Sequence, residues 1–287
     1  MRNNRAYGKW PAGHFPSLNK GDATIRILFL GDIVGSVGRH AVKTVLPRLR
    51  QKYDPHVIVA NGENAAGGKG ITAAVVKELT EAGVHAITLG NHAWDNKDIF
   101  EWIEAEERVV RPANYPEGTP GRGCTVVRAG GYELFLINLQ GRTFLPSIDC
   151  PFRKADELIE KGKKYKFRLI DFHAEATSEK IAFGWHVAGR VSLVVGTHTH
   201  VQTNDHRILP GGTGYVTDVG MVGAADGVIG MDREAVLRKF RTQLPTRLAA
   251  AEGKWHFHAL FAELDDETGC SIKIELLRIH EDEWWNV

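Results

Sequence analysis

The chain has 287 residues, enough for one large domain or two small ones, and 43% of them are apolar, so a sizeable core is available. Its 36 Lys and Arg against 35 Asp and Glu leave no overall charge bias toward nucleic acid or a membrane surface. The cysteines Cys124, Cys150 and Cys270 stand far apart with no C-x-x-C pair, and no apolar stretch approaches the roughly 20 residues that span a bilayer. A disulfide framework and a membrane-spanning protein are therefore disfavoured, and a reducing, cytoplasmic setting is expected.

Residues 1–22 are basic, carry no acidic residue before Asp22 and lack the apolar centre of a signal peptide. They are read as a flexible leader, or as the product of an upstream start codon. Residues 23–287 are read as a single domain. That part opens with "IRILFLGD", a short apolar run predicting a buried strand. "GRHAVKTVLPRLRQKY" places Val42, Val45, Leu46 and Leu49 at helical spacing. "HVIVANGEN" and "HAITLGNH" repeat the strand pattern, with "TAAVVKELTEAG" between them as a helix closed by Gly83. "NKDIFEWIEAEE" is expected to be a further helix with a solvated acidic face. Strand and helix alternating in this way predict a parallel sheet with crossover helices.

Beyond Arg111 the texture changes. "RPANYPEGTPGRG" is a loop, and "CTVVRAGGYELFLINL" predicts a hairpin around Gly130 and Gly131. "KFRLIDFH" and "RVSLVVGTHTH" look like buried strands, and "HRILPGGTGYVTDVG" like strand, turn and strand. Two long terminal runs flank a turn at residues 266–269. One α/β domain with a mixed second sheet is the simplest account.

The polar residues that close these runs share a chemistry. The first run ends at Asp32, the second delivers Asn61, Glu63 and Asn64, and the third delivers Asn91 and His92. "LIDFH" ends at His173, and "GTHTH" supplies His198 and His200. If the last strand continued, residues two apart would point to one side, and the two imidazoles would converge. Ligands of open α/β sheets collect beyond the carboxyl ends of the strands. Imidazole, carboxylate and amide donors without thiolate suit Mn²⁺, Fe²⁺ or Zn²⁺. They are too many for one four-coordinate ion, but two ions sharing a carboxylate would use them all. "GENAAGGKGIT" fails as a phosphate-binding P-loop, because Lys69 is followed by Gly70 where Ser or Thr is required. His85 and His186 are expected to be structural. His256 and His258 alternate along a terminal strand and are expected on a surface, while Trp284 and Trp285 are read as packing or as an interface, compatible with a homo-oligomer.

"GDIVG", "NGENAAGG", "TLGNHAWD", "DFHAEATSEK" and "GTHTH" together resemble the motifs of the calcineurin-like metallophosphoesterases, and most of all the YmdB-like branch of bacterial phosphodiesterases. The resemblance runs from about Ile25 to Ile279. It implies a four-layer α/β/β/α sandwich, two mixed sheets with helices outside, and a dinuclear site holding Fe or Mn, with Zn the third choice. By motif, Asp32, Asn64 and His200 would bind the first metal. Asn91, His173 and His198 would bind the second, and Glu63 would bridge them. His92 would be the catalytic histidine. Val34 stands where the broader superfamily has a ligating histidine, and Glu63 where it has aspartate; both departures match the narrower branch. The implied reaction is phosphodiester hydrolysis by a hydroxide shared between the ions, with His92 as proton donor. The implied substrates are 2′,3′- or 3′,5′-cyclic nucleotides, with short RNA or other phosphodiesters still open. A phosphomonoesterase, or a regulatory metal protein acting through a partner, are the alternatives.

Overall fold

The computed structural model describes residues 24–286; the predicted leader lies outside them. In chain order come β1 (Thr24–Leu30), β2 (Asp32–Ile33), α1 (Gly35–Tyr53), β3 (Val57–Asn61), α2 (Ala73–Glu81), β4 (Ala86–Thr88), α3 (Ile99–Trp102) and β5 (Val109–Val110). Then follow β6 (Cys124–Ala129), β7 (Tyr132–Gln140), α4 (Pro151–Lys161), β8 (Phe167–His173), α5 (Thr177–Val187) and β9 (Leu193–Thr197). The chain closes with β10 (Arg207–Leu209), β11 (Thr213–Val216), β12 (Met221–Ala224), α6 (Arg233–Thr242), β13 (Trp255–Asp265) and β14 (Ser271–His280).

These strands build an eight-stranded sheet, β2-β12-β13-β1-β3-β4-β5 with β14 also on β13, and a six-stranded sheet, β10-β11-β9-β8-β7-β6. Both are mixed. In the first, β1, β3, β4 and β5 are mutually parallel and β13 runs antiparallel to β1. In the second, β7, β8, β9 and β11 are parallel, with an antiparallel strand at each edge.

Alternation along the strands separates the layers. Ile25, Ile27 and Phe29 of β1 pack with Leu134, Leu136, Leu169 and Leu193 of the second sheet. Leu28 and Leu30 face the other way, onto Val42, Val45 and Leu46 of α1 and Val75 and Leu79 of α2. On the far side, Phe135, Ile137 and Leu139 of β7 pack under Leu158 and Ile159 of α4 and Phe183 and Val187 of α5. Three apolar seams thus join four layers, the predicted α/β/β/α sandwich.

The structure departs from the sequence reading in places. The acidic helix over residues 96–107 is only Ile99–Trp102. Its carboxylates serve loops instead: Glu104 accepts from the Gly121 N–H, and Glu106 holds the Arg108 guanidinium. α4 and α5 were not anticipated, although α4 opens with Pro at its first turn and carries an apolar stripe. His256 and His258 are not a surface pair. Their rings stack at 4.3 Å and His258 is buried, because they share the face of Leu260 and Leu264, which packs toward the second sheet. His85 and His186 are structural as expected, accepting from the Ile58 N–H and pairing with Asp156. Trp284 packs against the helix-side core with Arg48 over its ring.

Candidate metal centre

Parallel strands present their carboxyl ends on one edge, and the two sheets face each other, so both deliver side chains to one place. β1 cannot continue straight to Asp32. A Cβ on Gly31 would meet the Gly220 carbonyl oxygen at 2.1 Å, so only glycine fits where the chain steps across to pair as β2 with β12. The step leaves Asp32 wholly buried at the edge.

All the predicted residues gather there. His173 Nε2 lies 3.0 Å from Glu63 Oε1, 3.0 Å from Asn91 Oδ1 and 3.1 Å from His198 Nδ1. Asp32 Oδ1 lies 3.8 Å from His200 Nε2, and Asp32 Oδ2 accepts from the His198 backbone N–H at 3.2 Å. Asn64 follows Glu63, and its carbonyl accepts the N–H of Gly35 at the start of α1. His92 donates its backbone N–H to Glu63 Oε2 at 2.9 Å. Gly90 makes room for the cluster: a Cβ there would stand 2.3 Å from His173 Nε2 and 2.5 Å from Glu63 Oε2.

The convergence of His198 and His200 has a different cause from the one expected. β9 ends at Thr197, and both histidines lie in a turn with left-handed backbone, φ 103° and 65°. Such conformations cost non-glycine residues about 1–3 kcal/mol each and persist only where surrounding contacts impose them. Here a buried ion pair does so. Lys180 Nζ donates to Asp218 Oδ2 at 2.6 Å and to the Thr197 carbonyl at 2.7 Å, while Asp218 also accepts the N–H groups of Thr199 and Gly220. Lys180→Met strands the Asp218 charge in the interior, so a stability loss of about 3–5 kcal/mol is expected. Thermal and denaturant unfolding check it, and a loss under about 1 kcal/mol would show that the pair does not hold the turn.

Further orienting groups were missed in the sequence. Asp171 accepts from Thr88, Asn61 and Thr197. Asn61 in turn accepts the Glu63 backbone N–H. Because the single Thr197 hydroxyl proton goes to Asp171, His173 Nδ1 must donate to Thr197 Oγ1, 2.9 Å away. His173 Nε2 is then the free donor atom. Likewise His200 Nδ1, 2.8 Å from the Ile229 carbonyl, is the protonated nitrogen, which leaves Nε2 toward Asp32. Glu175 pairs with His198 Nε2 at 3.0 Å, and Asp95 with His92 Nδ1 at 2.9 Å. Asp171, Glu175 and Lys180 sit in the same "DFHAEATSEK" motif as His173, and Asp95 in "TLGNHAWD". Their motif positions were the available signal; Asp218 had none.

The electrostatics call for a cation. Asp32 Oδ1 and Asn64 Oδ1 are buried without a hydrogen-bond partner, and the Asn64 amide nitrogen is already tied to the Gly68 carbonyl. Orphan acceptors of this kind are costly unless something binds them. Burial pushes the Asp32 carboxyl up to about 7, despite His200 and His173 nearby. Burial also opposes ionisation of Glu63, but the charge and hydrogen bond of His173, with help from His92, hold it down at about 2. The partner His173, which burial alone would lower, is raised to about 9 chiefly by Glu63. Each member of the pair thus favours the charged form of the other. The 3.0–3.1 Å spacings match the edges, about 3 Å, of an octahedron around an ion with bonds near 2.1 Å. Nitrogen and oxygen donors without sulfur complete the fit to a divalent metal.

Two mixed sheets between helices, with this donor cluster at their carboxyl edges, define a protein of the metallophosphoesterase fold. The chain belongs to the family of YmdB-like proteins, whose sequence profile matches residues 28–277. It is 57% identical over 259 residues to the 2′,3′-cyclic-nucleotide 2′-phosphodiesterase of Bacillus subtilis (strain 168), covering 90% of this chain and 98% of that one. The crystal structure of a hypothetical protein from Thermus thermophilus has 44% identity and a TM-score of 0.84, covering 90% of this chain and 100% of the other. That of a novel phosphatase from Mycoplasma pneumoniae has 34% identity and a TM-score of 0.86, covering 93% and 98%.

Proposed function

We propose that this chain is a dinuclear metal-dependent phosphodiesterase that hydrolyses 2′,3′-cyclic nucleotides. The observation that carries the reading is the gathering of buried Asp32, Glu63 and His173 with Asn91, His198 and His200 at one edge, more donors than one ion takes. Glu63 Oε1, Asn91 Oδ1 and His198 Nδ1 all lie within 3.1 Å of His173 Nε2. Asp32 lies 3.8 Å from His200, and Asp32 and Asn64 each bury an orphan oxygen. Asp32, Asn64 and His200 would hold one ion, and Asn91, His173 and His198 the other. Glu63 would serve both. Fe or Mn suits this donor set best, and Zn is the third choice. Bound divalent ions would supply Lewis acidity toward the phosphate oxygens and a nucleophile at neutral pH.

The chain's own groups then have separable tasks. Asp171, through Thr197 and Asn61, fixes the direction of His173 and the Glu63 backbone. Asp95 fixes His92 Nδ1 by a hydrogen bond, which leaves Nε2 to serve the departing ribose oxygen. Cleaving the 2′ bond of a cyclic nucleotide makes that oxygen an alkoxide, a poor leaving group that needs a proton. Residues 23–287 act as one domain in this reading, and the free cysteines agree with a cytoplasmic setting. Among the described residues, no helix is long and apolar enough to cross a membrane.

Side-by-side turnover of bis-p-nitrophenyl phosphate and p-nitrophenyl phosphate with added Mn²⁺ tests the proposal. The diester is expected to turn over faster. Preference for the monoester would make the protein a phosphomonoesterase, and inertness to both, with metal bound, would favour a regulatory metal protein. Elemental analysis is expected to find about two transition-metal ions per chain. Full activity at a saturated stoichiometry of one would overturn the dinuclear centre.

A further inference from the structure

We propose that the loop Gly141–Leu145 is the nucleoside-recognition subsite of this centre, with the Phe144 ring as the face on which the substrate's base stacks. The proposal rests on the phosphodiesterase reading above. The loop leaves β7 at the edge where the donors gather. Gln140 is paired in register with His173, and the Gly141 N–H donates to the His173 carbonyl at 2.9 Å. Phe144 lies three residues further, within at most about 11 Å of chain.

Phe144 is 86% exposed and has left-handed backbone, φ 63°. An aromatic side chain disfavours that conformation, and an apolar ring gains nothing from standing in water. Neither feature comes from slack in the loop. The Glu179 carboxylate accepts the backbone N–H groups of both Arg142 and Thr143 at 3.0 Å. Buried Asn114 clasps both ends: its side-chain nitrogen donates to the carbonyls of Gln140 and Asp149, and its own carbonyl accepts from the Asp149 N–H. A well-anchored base therefore holds an exposed ring in a disfavoured conformation on a loop rooted at the centre.

A second feature at the root of the loop points to a ligand. The Gln140 carboxamide is wholly buried, and neither its nitrogen nor its oxygen has a partner. By strand alternation it shares the face of Leu134 and Leu136, as His173 shares that of Leu169, so the two stand side by side. It leaves a donor and an acceptor unpaired beside the centre. The base and cyclic phosphate of a 2′,3′-cyclic nucleotide are carried on one furanose ring, so a phosphate at the centre leaves the base to one side, where a flat apolar surface would receive it. Every base has such a face, so the subsite discriminates bases weakly.

The test compares adenosine 2′,3′-cyclic phosphate with its abasic counterpart, 1-O-methylribose 2′,3′-cyclic phosphate, on Mn²⁺-loaded protein. The wild type is expected to prefer the nucleotide in kcat/KM. Phe144→Ala should cut that preference by about 5- to 100-fold, mainly through KM, and Phe144→Trp should restore it. An unchanged preference overturns the proposal, whether or not activity falls on both substrates. Calorimetric titration with adenosine 3′-monophosphate provides a readout independent of turnover, with the same weakening expected for Phe144→Ala. If the wild type hydrolyses neither substrate, the phosphodiesterase reading fails. The titration then decides the subsite alone, and equal affinity of wild type and Phe144→Ala overturns it.

Discussion

Glu63→Gln is expected to remove both metals together. The carboxylate is buried, with one oxygen 3.0 Å from His173 Nε2 and the other 2.9 Å from the His92 backbone N–H. Glutamine keeps the volume but loses the charge. Its NH₂ must also point at a group that needs an acceptor, either the His92 N–H or the set of donors around His173. Replacing a residue that merely supports a metal ligand typically costs 10–100-fold in affinity or activity. Losing the charge proposed to be common to two ions should cost more, so metal content and turnover should fall in parallel, by over about 10²-fold at fixed metal concentration. Elemental analysis and diester turnover across a Mn²⁺ titration measure both. Retention of both ions at wild-type affinity would mean that another residue joins the sites, with Asp32 the next to test.

The second large effect belongs to His92. Its attachment to the cluster is through the backbone N–H, which His92→Asn preserves. Metal content and fold should therefore survive while turnover of a nucleoside diester falls at least about 10²-fold. The loss should shrink for bis-p-nitrophenyl phosphate, whose leaving phenolate needs little protonation. Asp95→Asn should show the same dependence on the leaving group with a smaller loss, about 10-fold, because it weakens the support of His92 Nδ1 and leaves the imidazole in place. Metal lost in proportion to activity would make His92 a ligand. Equal losses on both leaving groups would assign it to charge stabilisation in the transition state instead of proton donation.

The residues brought together at the centre were legible in the sequence because a parallel α/β arrangement orders its strand ends. Apolar runs such as "IRILFLGD" and "LIDFH" mark buried strands by composition alone, and whatever polar residue closes each run arrives at the same edge. Asp32, Asn61, Glu63, Asn64, Asn91, His92, His173, His198 and His200 could be named on that ground without knowing which strand lies beside which, and the motif resemblance then set Asn61 apart from the ligands. The four layers followed from the motif resemblance, and the alternation of Ile25, Ile27 and Phe29 against Leu28 and Leu30 supplies their physical reason.

Tertiary contacts decided the rest. Local pattern could not show that His198 and His200 converge through left-handed turns, since the restraint is an ion pair between Lys180 on α5 and Asp218 after β11. Nor could it show that the acidic residues after Trp102 serve loops instead of a helix, because Gly121 and Arg108 lie outside the helical period. His256 and His258 alternate as expected, but alternation says only that they share a face. Whether that face meets water or the second sheet depends on packing between distant segments, and packing alone buried His258 and half-buried His256.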